Sequence, residues 1–197
     1  MTPQTLKTVR AYALLNDDDN ESALPQDDML VMPDQISYDK EKLTLTIAGV
    51  TFRSKNPRLT FARALSAFPE EYCEDHDMDL NVCFATLVDA KTIDIGNYNN
   101  IGLPGFGYVK DETGKYIDMI HHGGVIIEEN VSIHNFVNID RGVIADTIIR
   151  KGVKIDSFVH IAHGAEIGEN TLVAAHSIIG GSAVIGENCY LGIGCII

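Results

Sequence analysis

From Val125 to the last residue an aliphatic side chain returns every six positions, and few folds can use such a period. The series reads Ile127, Ile133, Ile139 and Ala145, takes one short step, and resumes at Ile149, Ile155, Ile161, Ile167, Val173, Ile179, Ile185, Leu191 and Ile197. Two places before most of these stands a small or β-branched residue, as at Val125, Val131, Val137, Val143, Val153, Val159, Ala165, Thr171, Ser177 and Ala183. Gly164, Gly168, Asn170, Gly186 and Asn188 punctuate the turns. A fixed short period with one buried phase predicts a parallel β-helix, mainly β, in which each hexad is one side of a triangular coil. Residues eighteen apart then stack in neighbouring rungs, about 4.8 Å apart. The regular part holds about four such coils. The step from Ala145 to Ile149 is four residues where six are expected, which predicts one shortened side.

The rhythm reaches back to Asp89, with Ile95 and Ile101 in register, and is broken by a Gly-rich stretch at 102–124. That stretch reads as a loop leaving the helix and returning at Val125. Long loops in compact domains tend to carry function, and Phe106, Tyr108 and Tyr116 make this one aromatic. Residues 1–88 read as a small α/β N-terminal region and 89–197 as the β-helix. Within the first part, 4–15 has helical spacing, and Asn16 to Asp28 is an acidic, loop-like run. Lys42 to Phe52 alternates as a strand, with Gly49 marking either a bulge or a turn between two shorter strands. A helix follows from Pro57, with Phe61, Leu65 and Phe68 on one face.

Net charge is −13 over 197 residues, which argues against a nucleic-acid partner, since that needs a basic footprint. An anionic donor would have to meet a local basic patch, either Arg150, Lys151 and Lys154 or Arg53, Lys55, Arg58 and Arg63. No apolar run is long enough for a transmembrane segment, and the N-terminus lacks a signal-peptide pattern. Cys73, Cys83, Cys189 and Cys195 show no CxxC pairing and read as buried thiols of a reducing compartment. A cytoplasmic location is the expectation.

His163, in VHIAHGAEIG, lies two places after the inward Ile161 and so at a corner. An imidazole there has the right ordinary pKa to accept a proton from an attacking amine or hydroxyl. One coil on stands Gly181, where a bare backbone N–H can approach a substrate oxyanion. His160 either orients His163, lines a groove, or is outer-face filler. Asp146 is the nearest carboxylate that the spacing offers for orienting His163.

On its residues the chain resembles a known family. GFGY, a loop, VNIDRGVIADTIIRKGVKIDSFVHIAHGAEIG and GGSAVIGENCYLGIG look like UDP-3-O-acylglucosamine N-acyltransferases of lipid A biosynthesis, within the hexapeptide-repeat acyltransferases. KNPRLTFARAL is similar to the end of that family's uridine-binding domain. The resemblance covers Lys55 to Leu65 and Gly105 to Ile197, and VHIAH is also similar to the sister O-acyltransferases. It implies a left-handed β-helix and a homotrimer with sites between neighbouring helices. It further implies transfer of a 3-hydroxyacyl group from acyl carrier protein, as a thioester, to the amine of a UDP-linked glucosamine. His163 takes the role of general base and Gly181 that of oxyanion donor. Phe106, Gly107 and Tyr108 of GFGY, and Asp140 and Arg141 of IDRG, fall near the acyl and sugar sites. No bound cofactor and no metal are called for. Relative to the family the chain is shortened at both ends.

Three other readings stay open at this stage. One is an acetyl-coenzyme A-dependent N-acetyltransferase on a nucleotide amino sugar. Another is a zinc enzyme of the γ-carbonic-anhydrase type, drawing on His121, His122, His134, His160, His163 and His176, although the His160–His163 spacing does not match that pattern. The third is a non-catalytic relative.

Overall fold

The computed structural model describes residues 9–10, 30–31, 36–39, 41, 44–47, 50–53, 57–66, 80–82 and 85–197. The chain divides into two compact units, Met1–Glu71 with Gly107–Ile120, and Tyr72–Phe106 with His121–Ile197.

The second unit is a parallel β-helix built of three five-stranded sheets. The first sheet stacks Ala85–Leu87, Val125–Ile127, Thr147–Ile149, Glu166–Ile167 and Val184–Ile185. The second stacks Asp94–Ile95, Ser132–Ile133, Lys154–Ile155, Leu172–Val173 and Tyr190–Leu191. The third stacks Leu80–Val82, Asn99–Pro104, Asn138–Arg141, His160–Ile161 and Ile178–Ile179. Strands of two or three residues suffice because each coil contributes one short strand to each sheet. The hexad isoleucines point inward and are sealed: Ile127, Ile139, Ile149, Ile161, Ile167 and Ile179 have no exposed surface. Burying such a side chain contributes about 1.5–3 kcal/mol, so the interior column carries much of this unit's stability. The parallel ladder extends back to Leu80, earlier than the rhythm is audible in the sequence.

One expectation is corrected here. Ile139 pairs with Ile161 and Ile127 with Ile149, each twenty-two residues on, whereas Ile149 pairs with Ile167 eighteen on. The side between Ile139 and Ile149 is therefore lengthened by four residues, not shortened by two. Ala145 is exposed and Val143 only half-buried, so neither belongs to the inward series. Residues 142–146 leave the triangular path and fold against 122–124. There Gly123 N–H donates to Gly142 O at 3.0 Å, Gly142 N–H donates to Gly124 O at 3.2 Å, and Gly124 N–H donates to Asp146 Oδ1 at 2.6 Å. A Cβ at Gly142 would collide with the Ala145 carbonyl, so glycine is required for this close approach.

Corners carry a positive φ, the region that glycine and asparagine tolerate best. Asn130, Asn170 and Asn188 fit that preference, but Tyr98, Phe136, Phe158 and His176 occupy the same conformation at φ 59–60° or 61°. These four rings lie on one corner and stack, with centroids 5.1, 5.1 and 5.0 Å apart and planes within 12°. Stacking offsets the backbone cost at a corner where the side chains are half-exposed.

In the first unit, Thr44–Ile47 and Val50–Arg53 pair as antiparallel strands, and Ile36–Asp39 adds a third strand. The helix Pro57–Ser66 begins at the proline as expected and buries Leu59, Phe61 and Ala62. Tyr108–Lys110 pairs with Tyr116–Asp118 as a second hairpin. Arg63 grips Glu112 with two bonds of 2.8 and 2.7 Å, and this guanidinium holds the Glu112 carboxyl below its usual range. Val9–Arg10, read as helical, is a strand paired with Leu30–Val31. A β-branched residue in an extended bridge outweighs a weak helical spacing there. The acidic run at 16–28 and Cys73 and Cys83 lie outside the described residues. Among the described residues no helix is long and apolar enough to cross a membrane.

Phe158 stacks on two neighbours, and asparagine tolerates its backbone angle. Phe158→Asn is therefore expected to lower stability by about 1–3 kcal/mol, from two stacked contacts at about 0.5–1.5 each. His176→Asn, which loses one described stack, should cost about half as much. Urea denaturation midpoints of the two variants check this.

Candidate active site at the corner after the third sheet

The third sheet ends each coil with a strand that delivers a different functional group to the same corner. Asn99–Pro104 leads to Gly105 and Phe106, Asn138–Arg141 carries Asp140 and Arg141, His160–Ile161 leads to His163, and Ile178–Ile179 leads to Gly181. The site is thus a column along one edge of the prism, with its members tens of residues apart in sequence.

His163 is half-buried and lies against Gly181. A Cβ built on Gly181 would stand 2.8 Å from both Cε1 and Nε2 of the imidazole. Glycine is thus what gives the ring its seat. Among the described residues the Gly181 N–H has no acceptor, while the next amide, Ser182 N–H, donates to His163 O at 2.9 Å. On its other side His163 meets the buried ring of His121, edge to face, with centroids 5.4 Å apart and planes at 74°.

Asp140 is the carboxylate of this corner. Only 6% of it is exposed, and burial pushes its carboxyl above the usual range. The Asn138 hydrogen bond and the charges of His160 and His163 pull the other way. Gly105 lies beneath it, where a Cβ would come within 2.9 Å of Asp140 Oδ2. Asn138 Nδ2 donates both to Asp140 Oδ1 and, at 3.0 Å, to His160 Nδ1. With Nδ1 accepting, the His160 proton sits on Nε2, which faces Asp140 Oδ2 at 3.7 Å. Asp146, the carboxylate offered by spacing, instead accepts Gly124 N–H. The four-residue lengthening defeats the arithmetic that suggested it, and Asp140 is the carboxylate near the two histidines.

Arg141 is 2% exposed and donates from Nε to the Gly123 carbonyl, so it ties the strand Asn138–Arg141 to the segment 121–124 that carries His121. Phe106 is 86% exposed, a ring held out into solvent. Gly107 and Tyr108 belong to the other unit, where Tyr108 meets Tyr116 edge-on at 6.4 Å. Sequence reasoning missed His121, Asn138 and Thr147 as members of this corner. For Thr147 a signal existed, since it occupies the small-residue phase two places before Ile149.

Of the first group of cations proposed as a donor patch, Arg150 and Lys151 are paired with carboxylates and Lys154 is hydrogen-bonded to neutral groups. Arg150 bridges Glu128 and Glu166 at 2.8 Å each, Lys151 pairs with Glu129 at 2.9 Å, and Lys154 donates to Asn130 O and Ser132 Oγ. Among the described residues no group of three or more His, Cys, Asp or Glu side chains is disposed to hold a metal ion.

Comparison with known proteins matches one family model over a segment that contains His163 and Gly181. The family described as bacterial transferase hexapeptide (six repeats) matches residues 146–181. Over 92 residues the chain is 44% identical to the UDP-3-O-acylglucosamine N-acyltransferase of Campylobacter lari, covering 47% of this chain and 29% of that protein. It is 45% identical over 88 residues to UDP-3-O-acylglucosamine N-acyltransferase 2 of Sulfurimonas denitrificans, covering 45% and 28%. It is 49% identical over 82 residues to the Christiangramia forsetii enzyme of the same name, covering 42% and 24%. The alignments thus span under a third of each relative. A solved UDP-N-acetylglucosamine acyltransferase from Bacteroides fragilis, 24% identical, covers 59% of this chain at a TM-score of 0.27, a likeness too loose to argue from.

Two outcomes follow from this geometry. Gly181→Ala is expected to leave the fold intact, because residue 181 is exposed and its backbone suits any residue. It should displace the His163 ring, seen as a shift of the His163 Cε1–H resonance by NMR. For Asp140, a raised folded-state pKa gives stability that is present in full below the unfolded value and lost as pH rises through the folded one. Wild type should therefore lose stability relative to Asp140→Asn as pH rises above the ordinary carboxylate value of about 4. Denaturation midpoints of both proteins across that rise check the sign.

Proposed function

We propose that this chain is an N-acyltransferase that moves a 3-hydroxyacyl group from an acyl carrier protein thioester to the amine of a UDP-linked glucosamine. The observation that carries the reading is the His163 imidazole seated on Gly181, next to an amide N–H with no acceptor among the described residues. Identities of 44–49% to proteins named UDP-3-O-acylglucosamine N-acyltransferase supply the substrate class.

In this mechanism the acceptor amine attacks the thioester carbonyl carbon. His163 removes the proton from the attacking nitrogen, and the Gly181 N–H holds the tetrahedral oxyanion. Collapse expels the carrier thiolate, which takes the proton back from the imidazolium, so amide and free thiol leave with no covalent enzyme intermediate. Asp140, whose carboxyl feels the charges of both histidines, and His160 share the corner with the base. Phe106, Gly107, Tyr108, Asp140 and Arg141 are assigned to acyl and sugar binding. No bound cofactor takes part; the thioester is a co-substrate. We further propose a homotrimer acting in the cytoplasm, where nucleotide sugars and carrier thioesters are available.

The deciding experiment is a mass-spectrometric transfer assay. It would offer UDP-3-O-(3-hydroxyacyl)glucosamine, or other UDP-amino sugars, with 3-hydroxyacyl carrier protein or acetyl-coenzyme A. Transfer by wild type and at least a hundred-fold loss in His163→Ala are expected, in keeping with general-base contributions of about 10²–10⁴. Full activity in His163→Ala would remove the mechanism, and a preference for acetyl-coenzyme A would change the donor.

A further inference from the structure

We infer that Thr147 is a positioning residue for His163, and that its side-chain hydroxyl stands in for a backbone carbonyl that the coil beneath does not supply. The inference rests on the reading of His163 as the base.

At most corners of the helix the positive-φ residue donates its N–H to the carbonyl one rung below. Gly152 donates to Glu129 O at 3.0 Å, Phe158 to Asn135 O at 3.2 Å, Asn170 to Lys151 O at 2.9 Å and Ser182 to His163 O at 2.9 Å. Gly164, at φ +68°, is the corner residue that follows His163. By the same register its N–H would look for the carbonyl of Arg141. That is where the chain departs into the 142–146 excursion. The Gly164 N–H donates instead to Thr147 Oγ1 at 2.8 Å, and the Thr147 hydroxyl donates onward to Asp140 O at 2.7 Å.

The consequence falls on one peptide plane. The peptide joining His163 to Gly164 has its carbonyl held by Ser182 N–H from above and its N–H held by Thr147 from below. Both ends of that plane are fixed, so the His163 Cα has a set position and the imidazole meets Gly181. Through its second bond the same hydroxyl fixes the backbone of Asp140. Thr147 thereby sets the spacing between the base and the nearby carboxylate. It is fully buried, so no water replaces the hydroxyl if it is removed.

An internal control exists. Asn130, also at positive φ, donates its N–H to Thr92 Oγ1 at 3.0 Å, and Thr92 Oγ1 donates to Asp89 O at 3.0 Å. The same two-bond device thus serves a corner between the first and second sheets, where no site residue stands.

The test compares Thr147→Val, Thr147→Ser and Thr92→Val, with His163→Ala alongside. Two quantities are read at a temperature well below melting: steady-state transfer with UDP-3-O-(3-hydroxyacyl)glucosamine and 3-hydroxyacyl carrier protein, and the His163 Cε1–H resonance. Thr147→Val should lower kcat at least ten-fold with KM within about two-fold, and should move or broaden the His163 resonance. Thr147→Ser, which keeps the hydroxyl, should restore kcat to within about three-fold, while Thr92→Val should leave both readouts unchanged. Wild-type kcat and an unmoved resonance in folded Thr147→Val would overturn the inference while His163→Ala still reports on the base. Full transfer by His163→Ala, or none by wild type, would sink the reading of the base, and the resonance would still report on Thr147. If Thr147→Val does not fold, Thr147→Cys keeps the volume with a weaker acceptor and must show a smaller loss in the same direction. A folded Thr147→Cys with wild-type kcat and resonance overturns the inference equally.

Discussion

The corner amide decides what this helix can be. A coil of two-residue strands has little sheet to hold it, so each turn must give its N–H to an acceptor one rung down. A buried or half-buried amide without a partner costs about 1–3 kcal/mol. Where coils are eighteen residues apart, the carbonyl below is in place and the chain repeats itself. Where the coil beneath is irregular, as under Asn130 and Gly164, a threonine hydroxyl takes over. The inward isoleucines supply the burial, but the amide ladder sets the register that brings His163 over Gly181.

Much of the architecture was legible because the hexad series is one unbroken physical statement from Ile149 onward. Adding eighteen to 163 finds Gly181 without any structure. The same arithmetic failed across 139–149, where Val143 and Ala145 happen to keep the apolar rhythm while lying outside the core. A sequence pattern registers apolarity, not burial, so a four-residue excursion passed for a two-residue deletion. Everything that depends on counting across it was hidden. Asp140 beside the histidines, Thr147 beneath Gly164 and His121 against His163 are all examples. Asp146 was the guess that the wrong count produced.

The site column depends on this same irregularity. A perfectly regular helix would present the corner after the third sheet as a uniform edge. The excursion at 142–146 draws in the segment 121–124, which brings the buried His121 ring to one side of His163. Gly123 and Gly142 make that approach possible, since a Cβ at either would meet carbonyl oxygens. The chemistry and the departure from regularity are therefore one feature, read once as backbone and once as side chains.

The ring column at Tyr98, Phe136, Phe158 and His176 constrains how such a sequence can drift. Each inner ring is acceptable in its backbone conformation because it has partners on both sides, so losing one takes a stacking partner from each of two neighbours. An asparagine or glycine is easily introduced at the rim of the column but disfavoured in its middle. Substitutions along this edge are then expected to travel in blocks. Related chains should carry either a run of aromatic corners or a run of small polar ones, with few mixtures between them.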